Sequence, residues 1–227
     1  MKPSMGATQP VGAVNSVNRA LAGAAAAAML LTAGCGGGGG TAVPTVTTPV
    51  PSPTPVTIVP GMVFGQPVYA DGDTAQGGQG SPTADGIPCD NAAIGYHIHA
   101  ELMLYQYGQQ VAIPKAIGIM NPTPPQSGVV YGGSCFYHIH THDASGIIHV
   151  EAPSQSSYTV GQFFNIWGMP LDASRVATFN GPVTVFVNGA QYGGDPRGII
   201  FSEREVIALE VGTPIVTPPQ IIFDPQY

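Results

Sequence analysis

The sequence predicts an α+β fold, in which a mostly antiparallel β-sheet of hairpins carries one short helix over a face. Apolar and polar residues alternate with a period of two in several segments, as expected for strands with one buried face. Glycine-containing turn signals follow these segments within a few residues, which favours antiparallel hairpins. One segment in the second half of the chain changes to the helical period.

The first predicted hairpin lies in YHIHAELMLYQYGQQVAIP, where apolar and polar side chains alternate from His97 to Tyr105. His97 and His99 share one face of this half-buried strand, with Glu101 and Met103 beyond them. A turn at Gly-Gln leads into a second strand, QVAI, which a proline ends. The proline- and glycine-rich stretch NPTPPQSGVVYGG that follows predicts a loop.

The second predicted hairpin is CFYHIHTHDASGIIHVE, residues 135–151, which contains four of the six histidines. Period two places His138, His140 and His142 on one face and aims Cys135 to the opposite face. The four residues DASG have aspartate first and glycine last, as a four-residue hairpin loop prefers.

A turn of this length determines the cross-strand partners of the second hairpin. His140 then faces His149, and His138 faces Glu151, with Cβ atoms about 4.5–5.5 Å apart. Two imidazoles at that separation can hold one ion between them. His142 lies beside the turn and is therefore not expected to be a ligand.

The remaining predicted elements are one helix, one hairpin and a last strand. Thr159 and Gln162 predict a capping box, and apolar residues at helical spacing then continue to Gly168, which ends the helix. VTVFVNGAQYGG predicts a hairpin with an Asn-Gly type I′ turn, and a last strand covers Val206–Val211. This order of elements resembles the β-grasp arrangement.

The N-terminal part of the chain has the composition of an export signal followed by a tether. Residues 1–34 combine a basic start, a short apolar run and small residues. The run ends in LLTAGC, which resembles the lipobox of bacterial lipoproteins, although Thr32 stands where leucine is usual. The resemblance implies that Cys35 is lipidated and anchors the protein to the cell envelope, on the periplasmic side or at the cell surface.

Residues 35–60 continue from the lipidated cysteine into a glycine-rich and then proline- and threonine-rich segment. Such a composition cannot bury enough apolar surface to fold, so we expect a disordered tether. Residues 61–227 remain as a single globular β-rich domain.

Charge and cysteine content narrow the functional classes. Without residues 1–34 the chain has four basic residues against 13 acidic ones, a net charge of −9. With no basic patch, nucleic acid is not expected to be a partner. Cys89 and Cys135 remain as a pair in an oxidising compartment, which predicts a disulfide. That bridge would bring the two histidine segments together.

The clustering of histidines predicts a transition-metal site on a sheet face. Neutral imidazole suits copper and zinc, and carboxylate is a common additional ligand. Met103 is a possible soft ligand if the metal is copper. The predicted metal ligands are His97, His99, His138, His140, His149 and Glu151.

Several motifs carry resemblances to known families. HIH, CFYHIHTHDASGIIHVE, TVGQFFNIWG and VNG…DPR together resemble a family of uncharacterised exported bacterial domains, which implies a shared fold and site over about residues 94–212. GGSCFYHIH is similar to the opening G-x5-H-x-H of the cupin motif, but the expected glutamate is replaced by alanine and serine. HIHTHD resembles the HxHxDH signature of metallo-β-lactamase-type hydrolases, with the third histidine and the aspartate transposed.

Three functions are compatible with these observations. The first is an envelope-anchored protein that binds, buffers or delivers copper or zinc, without catalysis. The second is a cupin-like metal-dependent enzyme, with His138, His140 and His149 as ligands and Glu151 or Asp143 as base. The alternative fold is accordingly cupin-like or another β-sandwich. The third is a metal-free adhesion or assembly module in which the histidines act as a pH switch.

Overall fold

The computed structural model describes residues 54–72 and 83–227. The predicted signal peptide, the lipidation site Cys35 and most of the predicted tether lie outside the described residues. Within the described part, no helix is long and apolar enough to cross a membrane.

The described residues form an α+β structure of many short strands and one α-helix, as predicted. The helix is α1 (Val160–Trp167), and a 3₁₀ turn follows at Pro196–Gly198. The strands in chain order are β1 (Val56–Ile58), β2 (Thr83–Ala84), β3 (Ile87–Asp90), β4 (Tyr96–Gln106), β5 (Gln109–Val111), β6 (Ile119–Met120), β7 (Cys135–Tyr137), β8 (Ile139–His140), β9 (Ile147–Ala152), β10 (Leu171–Asp172), β11 (Arg175–Val176), β12 (Phe179–Asn180), β13 (Val183–Val187), β14 (Ala190–Tyr192), β15 (Val206–Val211) and β16 (Ile221–Phe223).

The main sheet has seven strands and is organised around β4. Its order is β14-β13-β15-β4-β9-β8, and β5 pairs with the far end of β4. All of these pairs are antiparallel except β4 with β15, which run parallel. The predicted hairpins β4–β5 and β13–β14 and the predicted last strand are confirmed.

The prediction that β4 is half-buried is wrong, because both of its faces are covered. Ile98 and Leu102 belong to the large core beneath the helix, whereas Met103 and Tyr105 pack in a second cluster with Phe64 on the opposite face. Side chains on one face of β4 therefore pack in one layer, and those on the other face pack in a second layer. Neither of these packed faces is left open to solvent.

The helix covers one face of the main sheet. Thr159 accepts a hydrogen bond from the backbone N–H of Gln162, whose side chain accepts one from the backbone N–H of Thr159, so the predicted capping box is confirmed. Phe163 and Trp167 are fully buried in the large core. Gly168 ends the helix in the left-handed conformation, at φ 74°.

A second sheet of four strands, β2-β3-β7-β6, holds the predicted disulfide. Cys89 of β3 and Cys135 of β7 are bonded, with Cα atoms 5.4 Å apart. The chain leaves this sheet at His138 and enters the main sheet as β8. The predicted single strand is therefore two short strands in different sheets, joined by a bend.

The folded part begins earlier than residue 61, which corrects the predicted end of the tether. Val56–Ile58 form β1, which pairs in parallel with β16 near the C-terminus. Ile58 is fully buried beside Ile147 and Tyr227. The strand pairing and the burial of Ile58 thus dock the end of the proline-rich segment on the domain.

Candidate metal centre

Five of the six histidines converge on one face of the main sheet, where β4, β9 and β8 lie side by side. His97 of β4 lies opposite Glu151 of β9. His99 lies opposite His149, and His149 in turn lies opposite His140 of β8. Directly paired residues point to the same side of a sheet, so these side chains form one cluster.

The five rings form a continuous series, which we call the histidine row. Successive ring centroids along it are 4.4–4.7 Å apart. In spatial order, the members of the row are His97, His99, His149, His142 and His140.

His140 and His142 form the most closely defined pair of donors in the row. Their Nε2 atoms are 3.1 Å apart. The Nδ1 atom of His140 lies 2.8 Å from the carbonyl oxygen of Tyr137, and the Nδ1 atom of His142 lies 2.5 Å from that of Val130. Because a carbonyl oxygen only accepts, both Nδ1 atoms carry the proton. In the neutral rings, both Nε2 lone pairs therefore face each other.

Glu151 places its carboxylate among four of the imidazoles. Its Oε1 atom is 3.1 Å from Nε2 of His97, 3.6 Å from Nδ1 of His149 and 3.8 Å from Nε2 of His142. Its Oε2 atom is 3.8 Å from Nε2 of His140. The carboxylate thus contacts both ends of the histidine row.

These donors fall into two groups that could hold a metal ion. In each group, one donor atom per residue lies within 4.8 Å of the corresponding atoms of the other two. The first group consists of His97, His99 and His149, and the second of His140, His142 and Glu151.

The surroundings keep the buried imidazoles neutral. Burial lowers the pKa of His140 to about 3 and that of His99 to about 4, and the neighbouring imidazoles contribute in the same direction. Burial also holds the pKa of His149 well below its usual range. A neutral imidazole keeps a lone pair for a metal, so these rings need no deprotonation before they bind.

The two partly exposed members of the cluster behave differently. His97 interacts with the Glu151 carboxylate, which raises the pKa of its imidazole despite partial burial. Burial alone would raise the pKa of Glu151, but its contacts with His142, His149 and His97 together hold that pKa well below its usual range. Glu151 is therefore a charged carboxylate at neutral pH.

Two clefts reach the cluster from the surface. One, of about 330 Å³, is lined by His142 and Glu151 together with Asp90 and Phe136. The other, of about 190 Å³, is lined by His97, His99, His149 and Tyr227. Tyr131 and His142 border both clefts. Solvent and ions can therefore approach both donor groups.

His138 was predicted to be a ligand, but it belongs to neither donor group. Its Nδ1 atom lies 2.9 Å from the hydroxyl of Tyr158, and its Nε2 atom lies 3.5 Å from a carboxylate oxygen of Asp90. Because the chain bends at His138 between two sheets, the period-two pattern ends there. Its backbone carbonyl still accepts the N–H of Glu151, as the predicted hairpin register requires.

His142, which the sequence argument excluded, is part of the second group. It lies in the loop after β8, where strand parity no longer determines which way a side chain points. Its hydrogen bond to the Val130 carbonyl, in the proline- and glycine-rich loop, orients the ring. The period-two pattern does not predict this contact, because it depends on how the preceding loop, 12 residues earlier in the chain, folds back against the ring.

Three other candidate residues have different surroundings. Met103 is buried in an apolar cluster, where the hydroxyl of Tyr105 donates to its sulfur over 3.6 Å. Glu101 is fully buried, and burial together with the nearby Asp143 carboxylate raises its pKa well above the usual range. Asp143 accepts hydrogen bonds from the backbone of Gly61 and from Ser145, so its carboxylate is engaged in holding the loop.

No protein-family model, no curated protein and no solved structure matches this chain.

Proposed function

We propose that this chain is an exported, lipid-anchored protein that binds copper or zinc at the histidine row. The single observation that carries the proposal is the pair of Nε2 atoms of His140 and His142, 3.1 Å apart. Two nitrogen ligands of one tetrahedral zinc ion, each at about 2.0–2.1 Å, lie roughly 3.3 Å from each other. The two rings therefore have the separation of ligands that share an ion.

The hydrogen bonds behind the two rings support this interpretation. With both Nδ1 atoms donating to carbonyl oxygens, two lone pairs face each other inside the protein. Such an arrangement is repulsive unless a proton or a cation lies between the two atoms. Burial disfavours the proton on His140. A metal-bound histidine commonly donates its other ring N–H to a backbone carbonyl, and both rings do so.

The choice of copper or zinc follows from the donor types. Imidazole nitrogen with one carboxylate suits zinc and copper, whereas calcium and magnesium require oxygen ligands. The predicted signal and lipidation site at Cys35 support a position at the cell envelope, where the disulfide is also stable. Lipid attachment at Cys35 would make the membrane a partner of the protein.

A metal titration of the purified domain tests the proposal. Residues 54–227 should bind zinc or copper(II) stoichiometrically, as measured by calorimetry and by elemental analysis after gel filtration. The double variant His140→Ala with His142→Ala should lose this binding by at least a hundredfold in affinity. His138→Ala is the matched control, because it removes an imidazole that lies outside both donor groups, and it should bind normally. Equal affinity in the double variant and the control would overturn the proposal.

A further inference from the structure

We infer that the histidine row holds two metal ions at once, bridged by the carboxylate of Glu151. The inference rests on the proposed metal binding and adds a second ion at His97, His99 and His149. Two-metal centres are an established type of site, in which the ions lie about 3.5–4 Å apart and can share one bridging ligand.

The distances around Glu151 show that it fits two ions. For bonds of about 2.0–2.1 Å, two ligands of one ion lie between roughly 2.9 Å at a right angle and roughly 4.2 Å in a straight line. The Oε2 atom of Glu151 and the Nε2 atom of His140, 3.8 Å apart, satisfy this condition. The Oε1 atom satisfies it with His97 at 3.1 Å and with His149 at 3.6 Å. Oε1 also lies 3.8 Å from Nε2 of His142, so the carboxylate offers an oxygen within this range to donors of both groups.

One ion cannot use the whole row. The row and Glu151 together offer six protein donors, whereas a tetrahedral ion takes four. These donors form two compact groups of three, with His97, His99 and His149 in one and His140, His142 and Glu151 in the other. The rings of His140 and His149 are nearly parallel, with an interplanar angle of 9°. The carboxylate of Glu151 lies near both rings, 3.6 Å from Nδ1 of His149 and 3.8 Å from Nε2 of His140, so it can join the two groups.

The two positions differ in how firmly their ligands are held. His140 is fully buried, and carbonyl hydrogen bonds orient both His140 and His142. In the other group His97 is exposed, so its side chain must be ordered when an ion binds. We therefore expect sequential binding, with the first ion at His140 and His142 and a weaker second ion at the other group.

The position at His140 and His142 also leaves room for a ligand from solvent. Each donor group borders its own cleft. With the bridging carboxylate counted, the ion at His140 and His142 has three protein donors. A fourth position of a tetrahedral ion is then left for water or hydroxide, which would also compensate the charge of two cations around one carboxylate.

Copper(II) titration followed by electron paramagnetic resonance tests the bridge. The first equivalent should give the spectrum of an isolated copper ion. The second equivalent should produce magnetic coupling, seen as loss of that signal or as a half-field transition. His99→Ala should bind one equivalent and keep the isolated spectrum at every copper concentration, whereas His138→Ala should reproduce the wild-type titration. Circular dichroism of each variant would show that it is folded.

The outcomes separate this inference from the proposed function. Saturation at one equivalent would overturn the second site while leaving the metal-binding proposal intact. Two equivalents without magnetic coupling would overturn the bridge by Glu151. No binding at all would overturn the proposed function itself.

Discussion

Acidification of the metal-free domain should lower its stability, because His140 is buried as a neutral imidazole. The ring is fully buried, and its pKa in the folded protein is about 3, against an ordinary value of 6.5. Between pH 7 and pH 5 the unfolded chain takes up a proton on this ring and the folded chain does not. The free energy of unfolding therefore falls as the pH falls through 6.5.

The size of the effect follows from the linkage relation. For a ring that stays neutral when folded and has an ordinary pKa when unfolded, the loss between pH 7 and pH 5 is about 2 kcal/mol. His99, with a folded pKa of about 4, acts in the same direction. His97 acts in the opposite direction because its pKa is raised, but its ring is exposed and the effect is screened.

Urea unfolding at pH 7 and pH 5, in the presence of a chelator, measures this dependence. The variant His140→Gln has no group to titrate at this position, so its stability should change with pH by about 2 kcal/mol less than that of the wild type. An identical pH dependence in the two proteins would refute the assignment of His140 as a buried neutral ligand.

Three further outcomes follow from the structure. Replacing Cys89 and Cys135 by serine removes a disulfide that closes a loop with a sequence separation of 46. The free energy of unfolding should then fall by about 4 kcal/mol on the chain-entropy model. An unchanged urea midpoint would contradict this. Gly118→Ala should weaken zinc binding at least tenfold in calorimetry, because a Cβ there would lie 3.0 Å from Cβ of His140 and 2.6 Å from a backbone oxygen. Its control is Gly86→Ala, which has a similar φ of +75° and no described residue within 4 Å of the added Cβ, and which should bind zinc normally. Saturating zinc at a thousand times its dissociation constant should raise the free energy of unfolding by about 4 kcal/mol, and a thermal midpoint that does not change with zinc would speak against binding to the folded state.

Elements whose residues interact locally were predictable from the sequence. The capping box at Thr159 and the glycine stop at Gly168 depend on residues three to four positions apart, and both are present. The Asn-Gly turn and the pairing of His140 with His149 likewise follow from short-range rules, since the length of a turn determines the register of its two strands.

Features that depend on distant segments were not predictable in this way. The parallel pairing of β4 with β15 joins residues about 100 positions apart, and no local pattern indicates it. The docking of Val56–Ile58 beside β16 is of the same kind. The candidate donor groups differ from the predicted ligands for a related reason. His138 lies at a bend and contacts Tyr158, whereas His142 is oriented by the Val130 carbonyl and belongs to a donor group.

The most direct test of the central claim is the position of zinc in a zinc-loaded crystal, located by anomalous scattering at the zinc edge. We expect a zinc peak between the Nε2 atoms of His140 and His142, at about 2.0–2.1 Å from each. Zinc bound elsewhere, with these two nitrogens still 3.1 Å apart and no peak between them, would contradict it.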